Sequence, residues 1–262
     1  MAETASYAER GVELATGKIN VLDGGAGTPV VVLHHSWGGP GWLPFHDALV
    51  GAGTRAIVPD MPGWGASERP VWAREPRDIA IIVSRLIAAL ELDDVKLVGL
   101  GFGGYIAAEL ATMNPSRLRG LVLVGAAGLQ PRNGEILDQM MLSHRKYIEE
   151  SFRNAEAYTA YVGEEPPDDV RDLWDFSREM TARVTWKPYM FNRRLEPLLG
   201  DMHLPTLLVW GKDDKVVPYE CAEQYQDALP NASISVVEDA GHVVELEQPE
   251  RLAALVAGFP KD

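Results

Sequence analysis

The sequence has a single cysteine, Cys221, among its 262 residues. One cysteine excludes an internal disulfide framework, which is the usual sign of a small secreted scaffold. No apolar run reaches the roughly 18 residues that a membrane-spanning helix needs, and residues 1–10 lack the basic and apolar pattern of a secretory signal. These absences predict a cytoplasmic protein with no membrane partner.

Basic residues are also scarce. The chain has 24 lysines and arginines against 38 aspartates and glutamates, for a formal net charge of −14. A charge of this sign repels phosphate backbones, so we do not expect nucleic acid as a partner. With 46% hydrophobic residues and no internal repeat, the chain is long enough to bury one substantial α/β core.

Short apolar runs alternate with helical patterns along most of the chain. The predicted strands are residues 30–34, 55–59, 96–100, 118–125, 206–210 and 233–237, after a hairpin of residues 11–15 and 18–23. Residues 78–90 between them repeat apolar side chains near the helical period of 3.6. Strands that alternate with helices predict a mostly parallel sheet covered on both faces, with its site at the carboxyl ends of the strands.

The alternation stops between residues 130 and 203. This stretch includes a helical pattern over residues 135–153 and many large aromatic side chains: Tyr147, Tyr158, Tyr161, Trp174, Phe176, Trp186, Tyr189 and Phe191. It is too long for an ordinary loop. Any one of these aromatic residues is more often part of a core than a ligand contact. We therefore expect a helical insertion.

A glycine-rich turn follows the predicted strand of residues 96–100. Its spacing, Gly99-x-Gly101-x-Gly103, is that of the G-x-S-x-G nucleophile elbow, in which a sharp strand-to-helix turn holds a serine hydroxyl above the sheet. Here Gly101 stands at the serine position, so the residue expected to attack a carbonyl carbon has no side chain. The glycines also allow a dinucleotide-binding turn, but the next strand ends in no carboxylate to hold a ribose.

Two later segments carry an acid and a histidine. Asp213 and Asp214 follow the predicted strand of residues 206–210, and His242 follows that of residues 233–237. The order elbow, acid, histidine is that of the α/β hydrolases. Over nearly its whole length the chain resembles this superfamily, in the branch of small-molecule esterases, epoxide hydrolases and C–C bond hydrolases.

The resemblance implies an α/β-hydrolase fold, with a mostly parallel eight-stranded sheet flanked by helices. It also implies a core domain of residues 1–129 and 204–262 and a helical cap of residues 130–203, inserted after the sixth strand. The cap is expected to form a lid over the site. A small, partly apolar molecule is the expected ligand, no cofactor is expected, and the oligomeric state is left open.

The resemblance also assigns roles to individual residues. His242 corresponds to the general base and Asp214 to the carboxylate that orients its imidazole, with Asp213 as the substitute if Asp214 points away. A structural His–Asp pair remains the alternative. The backbone N–H groups of Ser36 and Phe102 correspond to the oxyanion hole.

The loop after the first parallel strand departs from the family pattern. The family usually has a glycine after His34, and this chain has His35. We expect His34, His35 and Trp37 at the mouth of the site as substrate contacts, with packing as the alternative for each. Histidines near one mouth also permit a metal ion, but no recognised zinc-site spacing accompanies them, so none is expected.

Three functions remain open. The first is a hydrolase-type enzyme, acting on an ester or C–C bond, in which His242 acts directly on water or a substrate proton, with no acyl-enzyme. The second is a non-catalytic small-molecule-binding protein of the same fold. The third is a serine hydrolase inactivated by a serine-to-glycine substitution. Because the chain departs from the family at both Gly101 and His35, natural divergence is favoured over a single laboratory change.

Overall fold

The structure is a computed structural model and describes residues 6–260. Within them, eight strands form one sheet: β1 (Tyr7–Leu14), β2 (Gly17–Gly25), β3 (Thr28–Leu33), β4 (Thr54–Pro59), β5 (Val95–Leu100), β6 (Leu118–Val124), β7 (Thr206–Gly211) and β8 (Ala232–Val237). Their order across the sheet is β1-β2-β4-β3-β5-β6-β7-β8. The pairs β1–β2 and β2–β4 are antiparallel, and the others are parallel.

Helices cover both faces of this sheet. They are α1 (Pro44–Gly51), α2 (Pro76–Ala89), α3 (Phe102–Met113), α4 (His144–Ser151), α5 (Ala155–Val162), α6 (Asp168–Thr185), α7 (Leu195–Leu199), α8 (Glu220–Ala228), α9 (Val244–Glu247) and α10 (Pro249–Ala257). Two apolar clusters, one on each face, bury the central strands, so every residue of β5 and β7 is buried. Strands covered on both faces read as continuous apolar runs, which is why the sequence marked them clearly. The predicted fold is confirmed.

Element boundaries follow the sequence patterns closely, with one exception. The pattern over residues 78–90 is α2, and the predicted hairpin is present with longer strands. Within the helix predicted over residues 135–153 only α4 (His144–Ser151) forms, so that prediction is wrong in its first half. The amide of Leu137 donates to Val216 O at 2.9 Å and that of Met140 to Asp138 Oδ1 at 2.8 Å, so these N–H groups are committed to partners outside a helix,.

Residues 130–203, which we call the inserted segment, join β6 to β7 and contain α4 to α7. Its returning end is fixed to the core. Gly128 N donates to Met190 O and Asn192 N donates to Gly128 O, both at 2.9 Å. Asn192 Nδ2 also donates to Glu109 Oε1 at 2.7 Å. Glu109 is fully buried and paired with Arg77, so this anchor is desolvated and costly to break,.

Residues 1–5 and 261–262, which the predicted core domain includes, lie outside the described residues. Between residues 6 and 260, none of the helices combines the length and the apolar character needed to cross a membrane.

The buried His46 makes the stability of the fold depend on pH. His46, in the first turn of α1, accepts a hydrogen bond from Leu43 N at 2.9 Å through Nδ1 and is 2% exposed. Burial lowers the pKa of His46 from 6.5 to about 4. The folded protein therefore resists protonation of this ring while the unfolded chain accepts the proton, so stability falls as pH drops from 6.5 towards 4,.

We expect His46→Asn to flatten that acid dependence, because an amide oxygen can accept the Leu43 N–H and does not titrate. Urea unfolding at about pH 7 and about pH 4.5 should show the native protein losing roughly 2 to 3 kcal/mol more than the variant. The exposed His203 provides the control His203→Asn, which should keep the native dependence. Equal losses in the native protein and in His46→Asn would contradict the assignment.

Candidate active site

The turn between β5 and α3 brings three chain segments into contact. Gly101 lies at its apex with φ 53° and ψ −109°, and its N–H donates to Val124 O at 2.8 Å. A Cβ on Gly99 would lie 2.4 Å from Gly103 O, and one on Gly103 would lie 2.3 Å from Leu33 O. Glycine is required at both positions because backbone fills the space that a side chain would occupy. The glycines therefore form a sharp turn between β5 and α3.

His242 and Asp214 meet beside this elbow. His242 Nδ1 lies 2.9 Å from Asp214 Oδ2, and both side chains are at most 3% exposed. Asp214 Oδ1 accepts the amides of Val216 at 2.8 Å and Val217 at 3.0 Å. With the Nδ1–H bonded to a carboxylate, the Nε2 lone pair of His242 is left as a proton acceptor. Asp213 is exposed and does not take the place of Asp214.

The inserted segment holds the loop that carries His242. The His242 amide donates to Ser151 O, at the end of α4, at 2.8 Å. Gly241 N, directly before His242, donates to Glu247 Oε2 at 2.7 Å. Lys215 Nζ, directly after Asp214, donates to Arg153 O at 2.9 Å. The acid loop, the histidine loop and the end of α4 are thereby joined into one hydrogen-bonded unit.

His35 reaches the same place from the opposite side. A Cβ on Gly101 would lie 2.5 Å from His35 Nδ1 and 2.7 Å from His242 Nε2. The two imidazole centroids are 4.8 Å apart, and Trp37 stacks on His35 at 5.6 Å with an interplanar angle of 7°. The other nitrogen, His35 Nε2, lies 3.2 Å from Glu245 Oε1. Burial lowers the pKa of His35, and Glu245 opposes that shift.

His34 makes contacts with backbone groups at both of its ring nitrogens. Its Nε2 accepts the Met61 amide at 2.9 Å, and its Nδ1 lies 2.7 Å from His35 O. Burial lowers the pKa of His34, so the ring is neutral, with Nδ1 as donor and Nε2 as acceptor. Both nitrogens are engaged with backbone. These bonds agree with the packing alternative for His34, and the substrate contact of this residue stays a prediction.

The predicted oxyanion groups belong to two segments, Phe102 directly after the elbow and Ser36 in the loop after β3. Phe102 is the first residue of α3, where backbone N–H groups have no partner one turn earlier,. The Ser36 carbonyl accepts Trp64 Nε1 at 2.9 Å and Thr181 Oγ1 at 2.7 Å, which fixes the loop backbone. The use of the Ser36 and Phe102 amides as an oxyanion hole stays a prediction.

Sequence reasoning missed residues that approach the site through tertiary structure. Glu245 lies three residues after His242. Its nearness in sequence to His242 was the signal that could have marked it as a site residue. Tyr147 and Gln139 belong to the inserted segment and contact Ser36: Ser36 Oγ donates to Gln139 Oε1 at 3.2 Å, and the Ser36 side chain hydrogen-bonds with Tyr147. Burial raises the pKa of Tyr147. No local sequence pattern pointed to these last two.

A cavity of about 400 Å³ lies between the inserted segment and the loop after β3. Its lining is mainly aromatic and aliphatic and includes Trp37, Ile148, Phe152, Tyr161, Leu173 and Trp174. Asp169 is the single charged residue in the lining that residues 6–260 provide. Trp37 belongs to the cavity and also stacks on His35, so this ring connects the cavity to the two imidazoles. Trp37 is the predicted mouth residue that reaches both.

No metal centre is found in the part of the chain that the structure describes. There, three or more histidine, cysteine, aspartate or glutamate side chains do not come together in a group that could hold an ion. His35 and His242 approach each other, but each has its carboxylate on the far nitrogen and not at a common point.

Comparison with known proteins adds to this geometry. The family described as alpha/beta hydrolase fold matches residues 29–249. The 2-hydroxymuconate semialdehyde hydrolase of Pseudomonas sp. strain CF600 is 30% identical over 260 residues, which cover 92% of this chain and 90% of that protein. A 2-hydroxy-6-oxononadienedioate/2-hydroxy-6-oxononatrienedioate hydrolase of Paraburkholderia phymatum is 29% identical over 98% of this chain and 96% of its own length.

Among solved structures, the 2-hydroxy-6-oxo-6-phenylhexa-2,4-dienoate hydrolase from Rhodococcus sp. strain RHA1 superposes with a TM-score of 0.76 at 20% identity. The match covers 97% of this chain and 98% of that one. At this identity the similarity concerns the fold alone. The family match, the sheet order and the elbow, acid and histidine agree, and the chain belongs to the α/β-hydrolase fold family.

Proposed function

We propose that this protein is a hydrolase-type enzyme in which His242, oriented by Asp214, acts directly as general base, and that no acyl-enzyme forms at residue 101. One observation carries the proposal: the space that a side chain at residue 101 would fill is taken by His35 Nδ1 and His242 Nε2. The site retains a base and a sharp elbow, and it has no room for a serine nucleophile.

The same observation favours a rebuilt site over an inactivated serine hydrolase. Removing a hydroxymethyl group from an otherwise intact elbow would leave an open space. Here His35 Nδ1 would lie 2.5 Å from a Cβ at residue 101, and real Cβ contacts are essentially never under 3.0 Å. Gly101 and His35 therefore depend on each other, since a side chain at one position excludes the observed ring at the other.

The chemistry that follows is attack by water. His242 Nε2 takes a proton from water, and Asp214 stabilises the imidazolium that forms. The hydroxide adds to a substrate carbonyl carbon, and the oxyanion accepts hydrogen bonds from the Ser36 and Phe102 amides. Collapse of this intermediate breaks the ester or C–C bond, and His242 returns the proton to the leaving group. General-base catalysis of this type contributes roughly 10² to 10⁴ in rate.

The cavity points to a small and partly apolar substrate. Relatives of this chain are named as hydrolases of hydroxy-oxo dienedioates. The charged group in this cavity is Asp169, an acid, which would repel a dianion,. Trp37 Nε1 is buried and has no hydrogen-bond partner among the described residues, so a polar group of the ligand would satisfy it,. We propose a carbonyl compound with an apolar body and little negative charge.

The inserted segment, residues 130–203, is proposed as the cap domain over the core of residues 1–129 and 204–262. The support is its position between β6 and β7 and its share of the cavity wall, which includes Phe152 and Trp174. Its hydrogen bond from His242 N to Ser151 O also ties it to the base.

A serine at residue 101 is not expected to give esterase activity by itself. Gly101→Ser requires His35 to move, so its turnover of 4-nitrophenyl butyrate should stay within about threefold of the native rate, with no burst and no labelling by an activated phosphonate. The double variant Gly101→Ser/His35→Gly removes the obstructing ring. It should gain roughly 10²-fold or more in esterase rate and carry the phosphonate at residue 101.

Thermal melts of both variants exclude misfolding as the cause of inactivity. Burst kinetics and phosphonate attached at residue 101 in Gly101→Ser alone would instead support an inactivated serine hydrolase.

The general-base role separates an enzyme from a binding protein. His242→Ala should lower turnover of 2-hydroxy-6-oxo-6-phenylhexa-2,4-dienoate or of 4-nitrophenyl butyrate by roughly 10² to 10⁴, because no other group replaces the base. Affinity for acetophenone, followed by tryptophan fluorescence, should change by less than about tenfold. Asp213→Asn, at the exposed neighbour of the acid, is the control and should keep native turnover. Turnover unaltered by His242→Ala would refute the catalytic assignment.

Filling the cavity tests the substrate site. Val170 lines it from α6, and Val170→Trp should raise KM for 4-nitrophenyl butyrate roughly tenfold with kcat within about threefold, because lost space weakens binding before chemistry. Asp172 is exposed on the same helix, so Asp172→Trp controls for the added indole. A KM unchanged by Val170→Trp would place the substrate elsewhere.

A further inference from the structure

A separate cavity of about 410 Å³ lies among the start of α2, the helix α3 and the chain that runs from the end of α6 to α7. No described residue lines both this cavity and the one beside Trp37. Its volume lies within the range of about 300 to 1,000 Å³ that small-molecule sites usually have. Asn192, which lines it, is bonded to Gly128 and to the buried Glu109, so this wall is fixed to the core.

The charges that line this cavity are mainly positive. Among the described residues its charged lining consists of four cations, Arg74, Arg183, Lys187 and Arg194, and one acid, Glu75. In the whole chain the balance is the reverse, with 24 basic residues against 38 acidic ones. A cleft lined by one sign of charge concentrates ligands of the opposite sign. We call this cavity the basic pocket.

The acids at the start of α2 offset only part of this charge. Glu75 Oε2 accepts from Arg194 Nη2 at 3.1 Å, so it pairs with one of the four cations. Asp78 Oδ2 accepts the backbone amides of Arg74 at 2.8 Å and Glu75 at 3.1 Å. That carboxylate therefore serves the backbone that enters α2, and the pocket keeps a positive excess.

Arg74 and Arg183 share the same neutral hydrogen-bond acceptors. Arg74 Nη1 donates to Val71 O at 2.8 Å and to Ala73 O at 2.9 Å. Arg183 donates to the same two carbonyls, from Nη2 to Val71 O and from Nε to Ala73 O at 3.2 Å. A guanidinium has five N–H groups, and these bonds use only some of them. Two neighbouring cations on carbonyl acceptors are thus left to bind an anion.

Aromatic side chains complete the lining of the basic pocket. Trp186, directly after α6, is 68% exposed, so most of its ring is free to pack on a ligand. Phe191 and Tyr105 line the same space. Aromatic rings pack well on other flat rings, by stacking or edge to face. The pocket therefore combines a cationic part with an aromatic part.

We propose that the basic pocket binds a small aromatic carboxylate, at a site additional to the reaction centre proposed above. The carboxylate oxygens accept hydrogen bonds from the free N–H groups of Arg74 and Arg183, and Lys187 adds its charge. The aromatic ring of the ligand packs on Trp186 and Phe191. Because the cations line a concave space, the pocket favours a small molecule over an anionic lipid surface.

Fluorine NMR of protein labelled with 5-fluorotryptophan reads the two cavities separately. Trp186 reports on the basic pocket, and Trp37 and Trp174 report on the other cavity; a phenylalanine variant of each assigns its signal. Benzoate should shift the Trp186 signal to saturation. Benzyl alcohol, which has the ring without the charge, should bind there at least roughly tenfold more weakly. Benzoate that shifts only the Trp37 or Trp174 signal would overturn the proposal.

Charge removal tests the cations. Arg183→Met should weaken benzoate binding at Trp186 at least roughly tenfold, and Lys187→Met roughly threefold or more. Arg183 also bonds to the chain before α2, so a thermal melt checks its variant, and Lys187→Met decides the outcome if Arg183→Met does not fold. Arg251→Met, exposed on α10, changes the net charge equally and should keep native affinity. Native affinity in the folded variants would refute the site.

Two further ligands separate the alternatives. Inorganic phosphate that shifts the Trp186 signal as strongly as benzoate would overturn the aromatic part of the assignment. Sedimentation of the protein with phosphatidylserine vesicles that Lys187→Met abolishes, together with no shift by benzoate, would assign this face to a membrane surface instead. Benzoate binding without vesicle binding supports the small-molecule site.

Discussion

The absence of a side chain at Gly101 organises the candidate site. Because Gly101 has no Cβ, two rings from different loops come within contact distance of the elbow, and each ring lies beside a buried acid. Steric exclusion between a side chain at residue 101 and the two rings determines this arrangement, since it acts at any pH and solvent does not relieve it. A compact imidazole pair and a side chain at residue 101 are alternative occupants of the same volume.

Burial gives this arrangement its chemical character. In a low-dielectric site an imidazole favours its neutral form, and the lowered pKa of His35 follows from burial even though Glu245 opposes it,. The hydrogen bond to Asp214 selects the tautomer of His242. Near neutral pH the buried His35 ring therefore stays unprotonated.

Local sequence patterns predicted the fold well because buried parallel strands such as β5 and β7 are written as unbroken apolar runs. The sequence also allowed us to predict the elbow, Asp214 and His242, since each follows the carboxyl end of a strand. Glu245 was overlooked, because its role depends on His35 lying across the space beside Gly101. The helix predicted over residues 135–153 failed in its first half for a similar reason: tertiary partners of the backbone overrode a helical period.

The bond from His242 N to Ser151 O restricts how the inserted segment can move. Lifting the end of α4 would pull the base away from Asp214 and would also break the bonds that Lys215 makes to Arg153 O. Opening at that end is thus incompatible with a prepared base. In the proposed reaction, ligand exchange at the far side of the cavity, where α5 and α6 contribute Tyr161 and Leu173, would leave the proton acceptor aligned between turnovers.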